Sequence, residues 1–397
     1  MTAECTPMKL RDSHDSGSHG ASRWRVALLL CAVAAVLLLI FKPTDEPPAP
    51  NDFAFYWTAA RLVLDGHNPY SPRETLVLQN RLAFAGKGPL VMLNPPWVLP
   101  IVVPFGLLSF STGKSLWFIV GLALVFISVH WLWDLYGAGQ NRWIGWMVAV
   151  TFLPVAVVLA IGQIGPLILF GLAGFLRFEA KRDDFVAGAF LFLAVLKPHL
   201  VFLFWIALLL CTLYQRRWKP LAALLATLAG ASFVAVLLDH RVFQQYVGHF
   251  GEERIIFQES PTLGGLLRHI SGLSAMQFLP LGVAALWLVV YWIRWRATWE
   301  WRDRLPSLLL VSIVTASYAW FFDQVVLLPS VFYAALLALR SQRHIWPGVV
   351  IAYLATNCAI LLLLLDHRPA FYYSWTATAW LLLAAVVQKS GQHRQPL

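Results

Sequence analysis

DFVAGAFLFLAVLKPHLVFLFWIALLLCTLY, residues 184–214, decides the architecture: an apolar stretch long enough for two short helices is interrupted once, by Lys197-Pro198-His199. Proline lacks the N–H that a helix interior needs and disfavours helical geometry in the residue before it, so the stretch reads as two helical halves meeting at a break. A lysine inside such a run either snorkels its ammonium to an interface or pairs with an anion. The neighbouring His199 favours the anion.

Outward from this stretch, the rest of the chain has the same character. Of 397 residues 59% are hydrophobic and only 13% charged, 19 are tryptophan, and apolar runs recur, a composition that a soluble globule does not carry. The formal net charge of +10 is spread in small clusters at the ends of apolar runs, which fits the setting of membrane topology and excludes a nucleic-acid patch. Cys31, Cys211 and Cys358 lie in apolar segments and Cys5 in a polar tail, so neither a disulfide framework nor a metal-ligand spacing is present in the sequence. The class is an all-α polytopic membrane protein.

Apolar segments fall at about 24–41, 95–111, 115–134, 143–161, 165–178, 184–197, 199–214, 220–238, 276–294, 305–320, 324–340, 346–365 and 371–388. Residues 1–23 are expected to form a disordered cytoplasmic tail, 24–388 one membrane domain with outer loops at 42–94 and 239–275, and 389–397 a second cytoplasmic tail. Arg23, Arg25, Arg142, Arg177, Lys181, Arg182, Arg216, Arg217, Lys219, Arg294, Arg296, Arg302, Arg304, Arg340, Arg343, Lys389 and Arg394 then face the cytoplasm. With both termini inside, the number of crossings is even. That requires about 12 transmembrane helices plus one re-entrant or interfacial segment, best assigned to 95–111 because Pro95, Pro96, Pro100 and Pro104 interrupt it. Residues 165–178, short for a crossing, are the alternative.

This topology gathers polar residues from distant parts of the chain on the outer face. Asp52, in Asn51-Asp52-Phe53-Ala54-Phe55-Tyr56-Trp57, sits just past the first apolar segment, where an isolated carboxylate among aromatic residues suggests chemistry at the lipid boundary. It also precedes Phe53–Leu64, expected as an amphipathic helix lying on the membrane, so helix capping is the competing role. Gly162-Gln163, Lys197-Pro198-His199 and Tyr318-Ala319-Trp320-Phe321-Phe322-Asp323-Gln324 join it. Asp323 can hold sugar hydroxyls, pair with Lys197, or cap the helix that follows. Loop 239–275 adds Arg254 and Arg268 as candidate cations.

The ordered runs NDFAFYWTAARLVLDGHNPY (51–70), LNPPWVLPIVVPFGLL (93–108), IGQIGPLILF (161–170), LKPHL (196–200), PTLGGLLRH (261–269) and ASYAWFFDQVVLLP (316–329) resemble glycosyltransferase family 87, membrane enzymes of the GT-C fold that use polyprenyl-phosphate sugars. The resemblance spans roughly residues 24–340. It implies Asp52 as catalytic base, Lys197 at the donor phosphate and Asp323 as the aspartate near the end of the pattern; beside these, His199, Arg254 and Arg268 are further candidates for the donor phosphate, and Asn94, Gln163, Tyr318, Asp323 and Gln324 for the sugar and the acceptor. Trp320 and Phe321 stand where many relatives have more polar residues, which leaves the sugar open, with mannose the family's suggestion.

The implied reaction moves a hexose to a lipid or glycan acceptor on the outer face of the bacterial cytoplasmic membrane. Such a donor already carries a good leaving group, so one base for the acceptor hydroxyl and cations for the departing phosphate suffice. No cofactor and no metal is expected, and no nucleic acid; the partners are donor, acceptor and membrane lipids. Inversion follows from a single base opposite the leaving group. The competing function is a lipid-linked-sugar flippase or transporter, for which paired halves with central binding groups would be the sign.

Overall fold

The computed structural model describes residues 52–82, 88–136, 142–252, 260–341 and 346–392. The expected first helix at 24–41 and the tail at 1–23 lie outside the described residues. Every regular element among those described is a helix. In chain order they are α1 (Phe53–Leu64), α2 (Pro72–Arg81), α3 (Leu99–Gly106), α4 (Phe110–Leu135), α5 (Arg142–Thr151), α6 (Leu153–Ile161), α7 (Gly165–Ala180), α8 (Asp184–Leu191) and α9 (Phe202–Gln215). There follow α10 (Lys219–Leu238), α11 (Val242–Glu252), α12 (Leu263–Ser271), α13 (Leu279–Trp295), α14 (Trp301–Thr315), α15 (Leu328–Ser341), α16 (Trp346–Leu365) and α17 (Thr376–Gln392).

Among the described residues, seven helices are long and apolar enough to cross a membrane, or up to eight if the pair α5 and α6, bent by 60°, is one span. The expectation of about twelve counted apolar segments, and a helix does stand at each segment after the first. Several are short or broken. Pro96–Gly106 is a single short apolar element, as the prolines of 95–111 lead one to expect. The 16 residues of α7 span roughly 24 Å at 1.5 Å per residue, under the ~30 Å of a hydrocarbon core. The 15 residues of α14 are shorter still.

The break inside 184–214 has the predicted origin. The run Phe192–Leu196 tightens to a 3-10 helix, Lys197 leaves helical geometry at φ −139° and ψ 75°, and Pro198–Val201 restarts the chain as a second 3-10 turn. Two other breaks resemble it. Gly162 ends α6 in the left-handed region at φ 74°, where a side chain would be strained, and Pro166 then opens α7. Past α14 the chain is irregular from Ala316 to Trp320, bending at Ser317 and Tyr318, until Phe321–Leu327 forms a 3-10 helix leading into α15.

One expectation for α1 is corrected. Instead of lying on the membrane with one apolar stripe, it is enclosed: Phe53, Ala54, Tyr56, Trp57, Thr58, Ala59, Ala60, Leu62 and Val63 are all buried. Small residues explain the close packing, since Ala60 lies where a Cβ on Gly106 of α3 would approach to 2.7 Å. The aromatic face of α1 meets α4, with Phe53 ring centroids 5.8 Å from Phe110 and 5.7 Å from Trp117. A helix apolar nearly all round belongs inside a bundle. This packing fixes Asp52 at the bundle interior's edge and so positions the site.

Candidate active site

Asp52 stands at the N-cap of α1 in helical geometry, φ −63° and ψ −18°, and its side chain makes no capping hydrogen bond. Instead Oδ2 accepts a 2.7 Å hydrogen bond from Gln163 Nε2, contributed by the break between α6 and α7. Gln163 Oε1 in turn accepts from the Tyr56 hydroxyl at 2.8 Å, one helical turn beyond Asp52. Rotating the amide by half a turn would set two oxygens against each other at Asp52, so the network fixes its orientation. The turn carrying Gln163 is itself held by Trp117 Nε1, which donates to the Gly162 carbonyl at 2.9 Å.

Burial raises the Asp52 carboxyl above its ordinary value, the Gln163 hydrogen bond and the charge of Lys197 pull it back down, and the charge of Asp323 adds a small further rise. The result is a carboxylate more basic than a solvated one. Burial likewise drives the Tyr318 hydroxyl up to about 12, which keeps it a neutral hydrogen-bonding group.

Lys197 projects from the central break. Its Nζ lies 2.8 Å from Asp323 Oδ1 and 5.6 Å from the centre of the Phe322 ring. Asp323 Oδ2 accepts from the Trp320 backbone N–H at 2.9 Å, so this carboxylate both pairs with Lys197 and closes the start of its own 3-10 helix. Asn94 Nδ2 donates to the Leu196 carbonyl at 3.0 Å, while the Asn94 carbonyl accepts from the Tyr70 hydroxyl at 2.9 Å; this ties the chain around Tyr70 and Asn94 to the Lys197 break.

These groups enclose one cavity of about 640 Å³. Asp52, Asn94, Gln163, Lys197, His199 and Tyr318 line it, so six residues chosen from the sequence converge. Tyr56, Tyr246, His249, Ser317, Trp320 and Phe322 line it as well, among apolar residues such as Phe55, Val91 and Leu93. Asp323 and Gln324 do not line it: Asp323 is wholly buried behind Lys197, and Gln324 Nε2 donates to Thr376 Oγ1 at 2.6 Å. Arg268 also stands back, donating to Gln277 Oε1 at 2.9 Å, and Gln277 holds the Ser317 carbonyl. Arg254 lies outside the described residues.

His249 is the residue that sequence reasoning missed. It is 6% exposed, lines the cavity, and neither ring nitrogen has a hydrogen-bond partner. The spacing Val242, Tyr246, His249 puts it on the inward face of α11, a signal available in the sequence had a helix been assigned there. His199 Nε2 is buried and unpartnered as well. Buried polar atoms of this kind are normally satisfied, so two imidazoles facing a cavity mark places for a ligand's polar groups. Among the described residues no group of three or more His, Cys, Asp or Glu could hold a metal ion.

A helical bundle with seven candidate membrane-crossing helices, whose breaks meet at one cavity carrying a carboxylate on one wall and an ammonium on another, defines the class as a polytopic helical membrane protein with a cavity of ligand size. The family model Glycosyltransferase family 87 matches residues 93–322, more than half of the chain, and the chain belongs to that family. It is therefore a membrane glycosyltransferase. No curated protein and no solved structure matches it. The matched span holds Asn94, Gln163, Lys197, His199, His249 and Tyr318, whereas Asp52 precedes it and Asp323 follows it directly.

Proposed function

We propose that this glycosyltransferase takes a hexose, mannose in the first instance, from a polyprenyl-phosphate donor and attaches it to a lipid or glycan hydroxyl with inversion, using Asp52 as the base. One observation carries the proposal: the Asp52 carboxylate, at a helix start where it has every opportunity to cap, is held by Gln163 and turned to the same cavity that Lys197 lines. A carboxylate whose partner among the described residues is one oriented amide keeps lone pairs free for an incoming hydroxyl proton.

In the proposed step the acceptor hydroxyl gives its proton to Asp52 as its oxygen attacks the anomeric carbon. The bond from that carbon to the phosphate oxygen breaks on the opposite face, and the electron pair leaves with polyprenyl phosphate. Lys197 meets the negative charge that develops there. Tyr318, Trp320 and Phe322 offer aromatic faces to the sugar ring, and Asn94 offers its amide. A donor delivered from the bilayer accounts for a cavity bordered by broken apolar helices. About twelve crossings, with the cavity open to the outside of a bacterial cytoplasmic membrane, complete the proposal.

The decisive experiment is the Asp52→Asn protein in nanodiscs, supplied with a panel of polyprenyl-phosphate sugars. Its carboxamide can still pair with Gln163 but cannot take a proton, so the rate should fall by about 10²–10⁴ with donor binding retained. Turnover near that of the unmodified enzyme would end the proposed role of Asp52.

A further inference from the structure

At the end of the bundle where α13 gives way to α14, the sequence WIRWRATWEWRDR, residues 292–304, sets four arginines among four tryptophans. The Arg304 guanidinium carbon lies 3.9 Å from the centre of the Trp295 ring, and that of Arg294 lies 5.6 Å from the same ring. Arg296 stands 5.5 Å from Tyr214, at the end of α9, and 5.6 Å from Trp292. A guanidinium laid on an aromatic face has that side desolvated and its N–H donors directed outward in its own plane, the geometry that grips a phosphate through two oxygens.

The local carboxylates do not consume these donors. Glu300 and Asp303 are exposed, and Arg294, Arg296 and Arg304 form no ion pair among the described residues, in contrast to Arg217 nearby, which is taken up by Glu179 and Asp184. Arg304 Nε is buried with no hydrogen-bond partner. Arg294 and Arg296 are exposed and Arg304 half-buried, so the donors of the first two are open to a ligand arriving from outside.

An apolar track leads to this cluster. On α13, within the candidate span Ser274–Thr298, Val283, Leu286, Val290 and Ile293 are 59%, 71%, 68% and 55% exposed. Acyl chains laid along that face bring a headgroup to Arg296. We propose that the arginine–tryptophan cluster is a binding site for the phosphate of an anionic membrane lipid, distinct from the glycosyl-transfer cavity and independent of its chemistry.

The test uses the full chain in nanodiscs of phosphatidylcholine doped with phosphatidylglycerol, ejected intact into a mass spectrometer. Wild type should retain phosphatidylglycerol in preference to phosphatidylcholine. The double variant Arg296→Gln/Arg304→Gln should lose that preference at least tenfold, while Arg81→Gln, at an exposed position elsewhere, keeps it. Arg304→Lys, which keeps charge but not the planar fork, should fall between, and melting in pure phosphatidylcholine establishes that each variant is folded. Equal retention of both lipids by wild type, or undiminished preference in the folded double variant, overturns the proposal. Displacement of phosphatidylglycerol by millimolar inorganic phosphate would assign the site to a soluble anion and overturn it as well.

Discussion

Replacing Asp323 with Ala strips the carboxylate from an ion pair that is almost wholly dehydrated: Nζ and Oδ1 are 2.8 Å apart, and the two side chains are 11% and 1% exposed. Breaking a buried pair by removing one partner destabilises by about 3–5 kcal/mol, because the surviving ammonium is left uncompensated. The Trp320 N–H loses its acceptor too, a penalty of about 1–3 kcal/mol if nothing replaces it. An exposed pair gives the contrast. Arg61 and Asp65, at 42% and 44% exposed, should be worth only about 0–1 kcal/mol. The assay is unfolding of the reconstituted protein followed by tryptophan fluorescence, for Asp323→Ala, Lys197→Met, the double variant Lys197→Met/Asp323→Leu, and Asp65→Ala. Both single variants at the pair should be severely destabilised and the double variant much less so, since it buries no unpaired charge. The double variant should nevertheless bind donor poorly, because Lys197 is gone. Stability losses that simply add would refute the pairing, and a stable double variant with normal donor affinity would refute the phosphate role of Lys197.

The pH dependence has a determined sign. Asp52 acts as a base only when ionised, and burial raises its carboxyl above 3.8, so kcat/KM should fall on acidification at a higher pH than a solvated carboxylate would dictate. Gln163→Leu removes the hydrogen bond that lowers it and should move that limb further toward neutrality; a pH profile that does not move would count against the Asp52–Gln163 pair. His249→Leu should leave fold stability unchanged or raise it by about 1 kcal/mol, since it removes two unpartnered buried nitrogens, yet should weaken substrate binding; unimpaired KM values would make the imidazole a packing group. Gly188→Ala puts a Cβ 2.1 Å from the Pro220 carbonyl oxygen where α8 meets α10, so it should destabilise by about 1–3 kcal/mol, whereas Gly230→Ala, with nothing within 4 Å, should be neutral or mildly stabilising in the same melting assay.

Hydropathy made the helices legible because a bilayer tolerates few alternatives, and the proline and glycine breaks at 162–166 and 197–198 declared themselves through backbone chemistry that no tertiary contact can override. Asp52, Lys197 and Gln163, which the fold brings to one cavity, stood out as candidates for the same reason: a polar residue at a break in an apolar chain has few structural excuses. What escaped was partnership. Whether Asp323 faces a cavity or stands behind Lys197 depends on how two breaks 126 residues apart are set against each other, and a single sequence holds no record of that distance. The burial of α1 escaped because its apolar residues at helical spacing also fit a surface helix; only the small residues Ala59, Ala60 and Gly106, read together, point to close packing. His249 was hidden inside a loop that was assigned no helix.

The breaks that expose the site also show how a membrane-spanning bundle can accommodate it. Each interruption of a helix frees backbone groups, and lipid offers nothing to satisfy them. Here the satisfying groups are the neighbours of the site: Trp117 holds the Gly162 carbonyl, Asn94 the Leu196 carbonyl, Asp323 the Trp320 N–H, and Ser260 both the N–H and the carbonyl of Ala319 at 3.0 and 2.9 Å. Cavity-lining side chains and backbone-satisfying side chains are therefore interleaved, and in Asn94 they coincide. Asn94→Ala should then lower stability only modestly, by about 1–3 kcal/mol for one orphaned carbonyl, while loosening the Lys197 break and raising the donor KM. Asn94→Asp cannot donate to Leu196 and should behave like Ala despite its polarity. If Asp instead restored the donor KM while Ala did not, the side chain would be acting on substrate alone, and the coupling of backbone repair to catalytic geometry at this break would fail.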